Sequence, residues 1–255
     1  MTLLAQSIHR QVKNLQRLFL FLFLLLCSAS RANAAYSFIQ YKSSGFIAST
    51  SGSTPSFTIA ASHLLVVKCS NFNVVSNTRC STITDSAGDT FTEAVASLTF
   101  SSNISGGESA EFWYNSNTIG MTGTVSGTVP GGGGGFVLEI LDYSGIQVGS
   151  TSDAVNGGIV GNGSPESINI TTSYVDDLVI VGVINNAGGG WVWTAPFTER
   201  DGGSTLSLAD RDATPAGTYT ATGTGGSDFW AMSIIAFKVA PAASGSQIGI
   251  FLVGP

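Results

Sequence analysis

Charge is scarce in this sequence. Asp, Glu, Lys and Arg make up 10% of its 255 residues, and there are two histidines and three cysteines. A globular chain usually carries about 25% charged residues. Histidine scarcity removes most catalytic designs, because only His63 lies outside the N-terminal segment. Placed where a strand opens, it reads as a packed or surface residue. No serine stands in a Gly-x-Ser-x-Gly elbow, and neither Gly-x-Gly-x-x-Gly nor a P-loop occurs. One histidine and two cysteines are too few for a tetrahedral zinc site. Serine, cysteine and zinc hydrolases are thereby excluded. Capped helical periodicity is also missing after residue 35, and no later apolar run is long enough to span a bilayer.

What is present begins with a leader. Arg10, Lys13 and Arg17 precede the apolar run Leu18 to Cys27, and Ala32-Asn33-Ala34 fits a signal-peptidase site. The pattern predicts a signal peptide over 1–34, cleavage before Ala35, and a secreted, extracellular or periplasmic product. An uncleaved anchor is the alternative, disfavoured by the shortness of the run. Of ten basic residues the leader holds four, and of sixteen acidic ones none, so the remaining 221 residues carry −10. So acidic a chain excludes nucleic acid and anionic membrane surfaces as partners. Its length suits a single domain over 35–240 with a loosely ordered tail, 241–255.

Strand signals fill that domain. Phe57 and Ile59, Ile168 and Ile170, and Leu206 and Leu208 alternate with other side chains. Thr218, Thr220, Thr222 and Thr224 form a solvent-facing ladder. Leu64 to Lys68, Phe136 to Leu141, Leu178 to Ile184 and Trp230 to Val239 are apolar on both faces, which marks central strands. Asp85 to Asp89 reads as a hairpin turn, and Gly131 to Gly135 and Gly188 to Gly190 as loops. No repeat of 20–50 residues is visible. The expected fold is all-β: an antiparallel two-sheet sandwich, jelly-roll or immunoglobulin-like, with helix only in the signal peptide. Cys69 and Cys80 remain as an even pair in an exported chain. They are expected to bridge neighbouring strands across a hairpin, with two buried thiols as the alternative.

Several segments are similar, in order, to a group of exported bacterial domains. They are Asp85-Ser-Ala-Gly-Asp-Thr-Phe91, Asp142-Tyr-Ser-Gly-Ile146, Asp177-Leu-Val-Ile180, Phe197-Thr-Glu-Arg200, Ala216-Gly-Thr-Tyr219 and the stretch from Trp230 to Lys238. The resemblance covers nearly the whole mature chain. It implies a jelly-roll or immunoglobulin-like sandwich and export, and it implies no activity.

Candidate site residues are few. Trp191 and Trp193 share a strand face beside a glycine loop, and Trp113 and Tyr114 lie on opposite faces of another strand. Aromatics at i and i+2 can stack on sugar rings, with core packing as the bland alternative. Glu139 and Asp142 are the carboxylates from which a glycosidase would be built, although their parity points them to opposite faces. Pairing of Glu139 with Arg200 or Arg79 is the structural alternative. Asp85 and Asp89, or Asp210 and Asp212, could take calcium, but Asp is also a favoured turn residue. No metal and no cofactor is expected. Asn103, Asn162 and Asn169 match the glycosylation acceptor pattern, which chance explains in so Asn-, Ser- and Thr-rich a chain. The favoured function is a non-catalytic surface or binding module for carbohydrate or a cell-surface partner. A passive structural or matrix protein is the alternative, and a carboxylate-based glycan hydrolase or lyase the third.

Overall fold

Strands that are apolar on both faces have no side to turn to water, and all four such runs form interior strands. The computed structural model describes residues 35–74, 79–94, 107–130, 134–149, 152–162, 164, 166–185, 190–201, 206–225 and 229–241, with helical positions 11, 13, 14 and 16. The cleavage site, the leader's apolar run, Asn103, glycines 131–133 and 188–189, and the tail beyond Pro241 lie outside the described residues. Among the described residues no helix is long and apolar enough to cross a membrane.

Among the described residues eighteen strands follow one another, and every pairing between them is antiparallel. The first ten are β1 (Ser37–Ser43), β2 (Ser51–Ser53), β3 (Phe57–Ile59), β4 (Leu64–Val74), β5 (Thr82–Asp85), β6 (Thr92–Glu93), β7 (Gly107–Asn115), β8 (Met121–Gly123), β9 (Val125–Thr128) and β10 (Gly135–Ser144). The rest are β11 (Ala154–Asn162), β12 (Glu166–Thr171), β13 (Asp177–Asn185), β14 (Val192–Trp193), β15 (Thr198–Glu199), β16 (Leu206–Ala213), β17 (Thr218–Thr224) and β18 (Phe229–Phe237).

Two five-stranded sheets, β1-β10-β4-β7-β6 and β11-β18-β13-β16-β15, form the expected sandwich. Between them Leu64, Val66, Leu141 and Tyr143 meet Leu178, Ile180, Leu208 and Phe237. Each sheet is also covered on its outer face by short strands rather than by loops. Sheets β2-β9-β5 and β3-β8 cover the first, enclosing Phe57, Leu65, Val125 and Leu138. Sheet β12-β17-β14 covers the second, enclosing Ile168, Val181, Trp191 and Met232. Burial on both faces is why β4, β10, β13 and β18 carry no alternation. Each large apolar side chain so buried contributes about 1.5–3 kcal/mol.

The strand orders reveal a repeat much longer than 20–50 residues. In both halves the first strand lies beside the last, and two further long strands continue the sheet, opposite a shorter cover sheet: β1-β10-β4-β7 in one, β11-β18-β13-β16 in the other. That is jelly-roll order twice over, joined through the two inner sheets. Leu64 pairs with Tyr143 as Leu178 pairs with Phe237, and Val66 with Tyr114 as Ile180 with Asp210. Even the turns agree. Ser62 and Asp176, at φ of 62° and 66°, stand just ahead of the equivalent strands β4 and β13.

Cys69 and Cys80 form a buried disulfide, with Cα atoms 6.5 Å apart. It does not cross a hairpin. β4 pairs with β10 and β7, whereas the chain after Cys80 joins β9 of the cover sheet. The bond therefore ties an inner sheet to its cover. Closing so short a loop contributes about 2.5–3 kcal/mol in the chain-entropy view.

Candidate functional site

The aromatic candidates belong to the core. Trp191 is 1% and Trp193 7% exposed, and their rings meet edge to face with centroids 5.3 Å apart and planes at 63°. Trp193 Nε1 donates to Ser207 Oγ at 2.8 Å. Trp191 lies against Gly223, where any Cβ would come within 2.4 Å of the indole. The two rings share one strand face, as their spacing predicts, but that face is turned inward. Burying two indoles outweighs leaving Val192 between them exposed. Trp113 is half-buried against the first cover core, and Tyr114 packs edge-on to Phe237 with centroids 5.1 Å apart. Trp191, Trp193 and Tyr114 present no open face for stacking on a sugar, and Trp113 is partly covered.

The carboxylates are tied up in pairs. Glu139 and Asp142 point to opposite faces of β10, as their parity requires, so they cannot flank one bond. Glu139 turns toward the second sheet, where Lys68 Nζ donates to its Oε2 at 2.7 Å and to the Val183 carbonyl at 2.6 Å. The Tyr41 hydroxyl donates to Glu139 Oε1 at 3.1 Å. Lys68 and Glu139 are each 1% exposed. The partner of Glu139 is thus a lysine and neither expected arginine. Arg200 forms a two-pronged pair with Asp210, 2.8 Å for each contact, and its guanidinium lies over the Phe38 ring. Arg79 pairs with Glu93 at 2.6 Å where both are about one-third exposed. On the other face of β10, Asp142 holds His63 Nδ1 at 2.7 Å and Gln40 Nε2 at 3.0 Å.

Asp210 also accepts from the Tyr143 hydroxyl at 2.6 Å. Burial and the adjacent Asp210 carboxylate push the Tyr143 phenol well up. For Arg200, burial acts to lower the guanidinium value, and Asp210 more than offsets it, so the net shift is upward.

The acidic turns close on themselves. Asp85 Oδ1 accepts the backbone N–H groups of Ala87 and Asp89 at 3.0 and 2.9 Å, and Asp89 accepts that of Ile119. Burial, then Asp85, raise the Asp89 value. Of the second pair, Asp210 is engaged with Arg200 as above. Among the described residues no three His, Cys, Asp or Glu side chains converge as a metal-ligand group.

Three features escape sequence reasoning. Lys68 sits inside an apolar run, yet its ammonium is fully buried. Glu111, 0% exposed beside the disulfide, accepts the Cys80 N–H and the Ser109 hydroxyl. Burial, then Glu93, push it up to about 8. Asp177 stands beside Asp153 at the opening of β13, and burial together with that second carboxylate pushes it up to about 7. Its place just before an apolar run was the available signal.

No protein-family model matches the sequence, and neither the curated proteins nor the solved structures searched contain a match.

Proposed function

We propose that the protein is an exported, non-catalytic structural module, with its outer sheet faces as working surfaces. The observation that carries this reading is the internal pairing of the reactive side chains. Glu139, Asp142 and Asp210 each hold a fixed basic partner at 2.7–2.8 Å. A buried carboxylate neutralised in this way is not free to protonate a leaving group or to attack. Burial of Trp191 and Trp193 favours the structural role over a tryptophan-based carbohydrate module.

A second reading, an adhesive or carbohydrate-binding module, rests on the outermost sheet. Thr218 and Thr220 of β17 stand exposed beside Thr171 and Asn169 of β12, with Ser167 exposed on the same row. Neighbouring positions along such a row repeat at roughly 6.8 Å and strands at roughly 4.8 Å, an uncharged hydroxyl and amide lattice.

The test is a glycan array and a polysaccharide hydrolysis assay on the purified mature protein. We expect neither retained glycan nor released reducing sugar. Binding that is lost in an Asn169→Ala, Thr220→Ala variant would put the second reading first. Hydrolysis lost in Glu139→Gln would overturn both. For export, mass spectrometry of protein from medium or periplasm should find Ala35 at the N-terminus, and an intact Met1 would defeat the idea.

A further inference from the structure

The two halves open equivalent strands with opposite chemistry. In the first, His63 precedes β4 and its Nδ1 lies 2.7 Å from Asp142, so the carboxylate has a hydrogen-bonding side chain beside it. The register puts Asp177 in the place of His63 and Ala236 in the place of Asp142. Asp177 therefore lacks the partner that its equivalent has. What stands beside it is another carboxylate, Asp153, one residue ahead of β11.

Asp177 is fully buried, and neither of its carboxylate oxygens has a hydrogen bond of normal geometry; the Tyr174 N–H and the Asp153 carboxyl act on it only through looser contacts. Asp153 is half-exposed and spends Oδ2 on the Ser173 N–H at 2.7 Å. It leaves the pair open to solvent. Lys238 is the nearby cation, but its ammonium is placed over the Tyr174 ring, 4.1 Å from the centroid, and reaches Asp177 only as a long-range field. Two adjacent carboxylates, one of them dehydrated, are costly without a positive charge between them.

We propose that Asp153 and Asp177 form a binding site for a hard divalent cation, calcium or magnesium, with water and main-chain oxygens completing the shell. Such ions take all-oxygen donor sets, and a site with two carboxylates belongs to the weak, extracellular range of about 10⁻⁴–10⁻³ M. A shared proton is the competing account. It satisfies a single oxygen pair and leaves as pH rises past neutrality, whereas a cation serves every free oxygen there. The proposal is independent of the structural reading above.

The experiment is thermal unfolding of the mature protein with CaCl₂ or MgCl₂ against NaCl at matched ionic strength, at pH 8. Isothermal titration with each divalent salt accompanies it. We expect one site per chain and a saturable rise in Tm, roughly 3–6 °C at tenfold over Kd. Asp177→Asn and Asp153→Asn should each abolish both signals, and Asp85→Asn should leave them intact. The calcium and magnesium arms identify the preferred ion. A flat response to both salts would leave the proton as the bridge and overturn the proposal. So would a response that survives Asp177→Asn or vanishes in Asp85→Asn.

Discussion

The side chain of Lys68 occupies the space that any side chain at Gly182 would need. A Cβ at Gly182 would stand 2.7 Å from Lys68 Cδ and 3.0 Å from Phe112 Cζ. The glycine leaves room for the Lys68 side chain against the second sheet, where its ammonium donates to the Val183 carbonyl while staying paired with Glu139, its neighbour across β4 and β10.

Gly182→Ala should therefore destabilise the protein by about 1–3 kcal/mol, the usual range for overpacking. A lower denaturation midpoint at unchanged m would register it. Lys68→Met alone leaves Glu139 buried and unpaired, at a cost of about 3–5 kcal/mol, and adding Glu139→Leu should recover most of that loss. A double variant no more stable than Lys68→Met would refute the ion-pair account.

Reducing the Cys69–Cys80 bond, or replacing both residues by Ser, should lower stability by about 2–4 kcal/mol. The bond joins an inner sheet to its cover, so amide exchange should rise first in β5 and β9. Uniform exchange across all sheets would contradict that localisation.

Glu111 gives stability a pH dependence of defined sign. Its value is 4.5 unperturbed and about 8 in the fold, so the folded chain keeps a proton that the unfolded chain releases. The contribution is complete below about pH 4.5 and is lost as pH rises through about 8. Glu111→Gln should flatten the decline in denaturation midpoint over that window. Asp177 acts in the same direction up to about 7, so part of the slope should remain. A midpoint rising from pH 5 to 8 would contradict both shifts.

Iodide should quench the tryptophan fluorescence of the folded protein weakly, because only Trp113 of the four indoles is not buried. Trp191→Ala should cost about 3–5 kcal/mol through the cavity it opens. A stable, fully folded Trp191→Ala protein would show the ring to be dispensable to the core.

The inner strands were legible because burial on both faces writes itself as an unbroken apolar run, and β4, β10, β13 and β18 sit where those runs predict. The site was less so. Parity told that Trp191 and Trp193 share a face and that Glu139 and Asp142 do not, but parity carries no sign. Only the packing decides which face is inner. Register is equally silent in one strand, so the partner of Glu139 had to be found across β10 and β4. The duplication stayed hidden because equivalent positions keep their burial, not their identity: Leu64 and Leu178 agree, whereas Lys68 and Gly182 do not.

That last mismatch has a consequence for how such a molecule can be assembled. Equivalent positions that touch each other, in a pair of identical subunits, bring identical residues together. Two copies of the first half would set lysine against lysine at the contact, and two copies of the second would leave a hole. Lysine over glycine is open only to halves that differ, and holding them in one chain also frees their union from dilution. The covalent link between β10 and β11 thus lets one jelly roll lodge its buried charge pair against the glycine of the other.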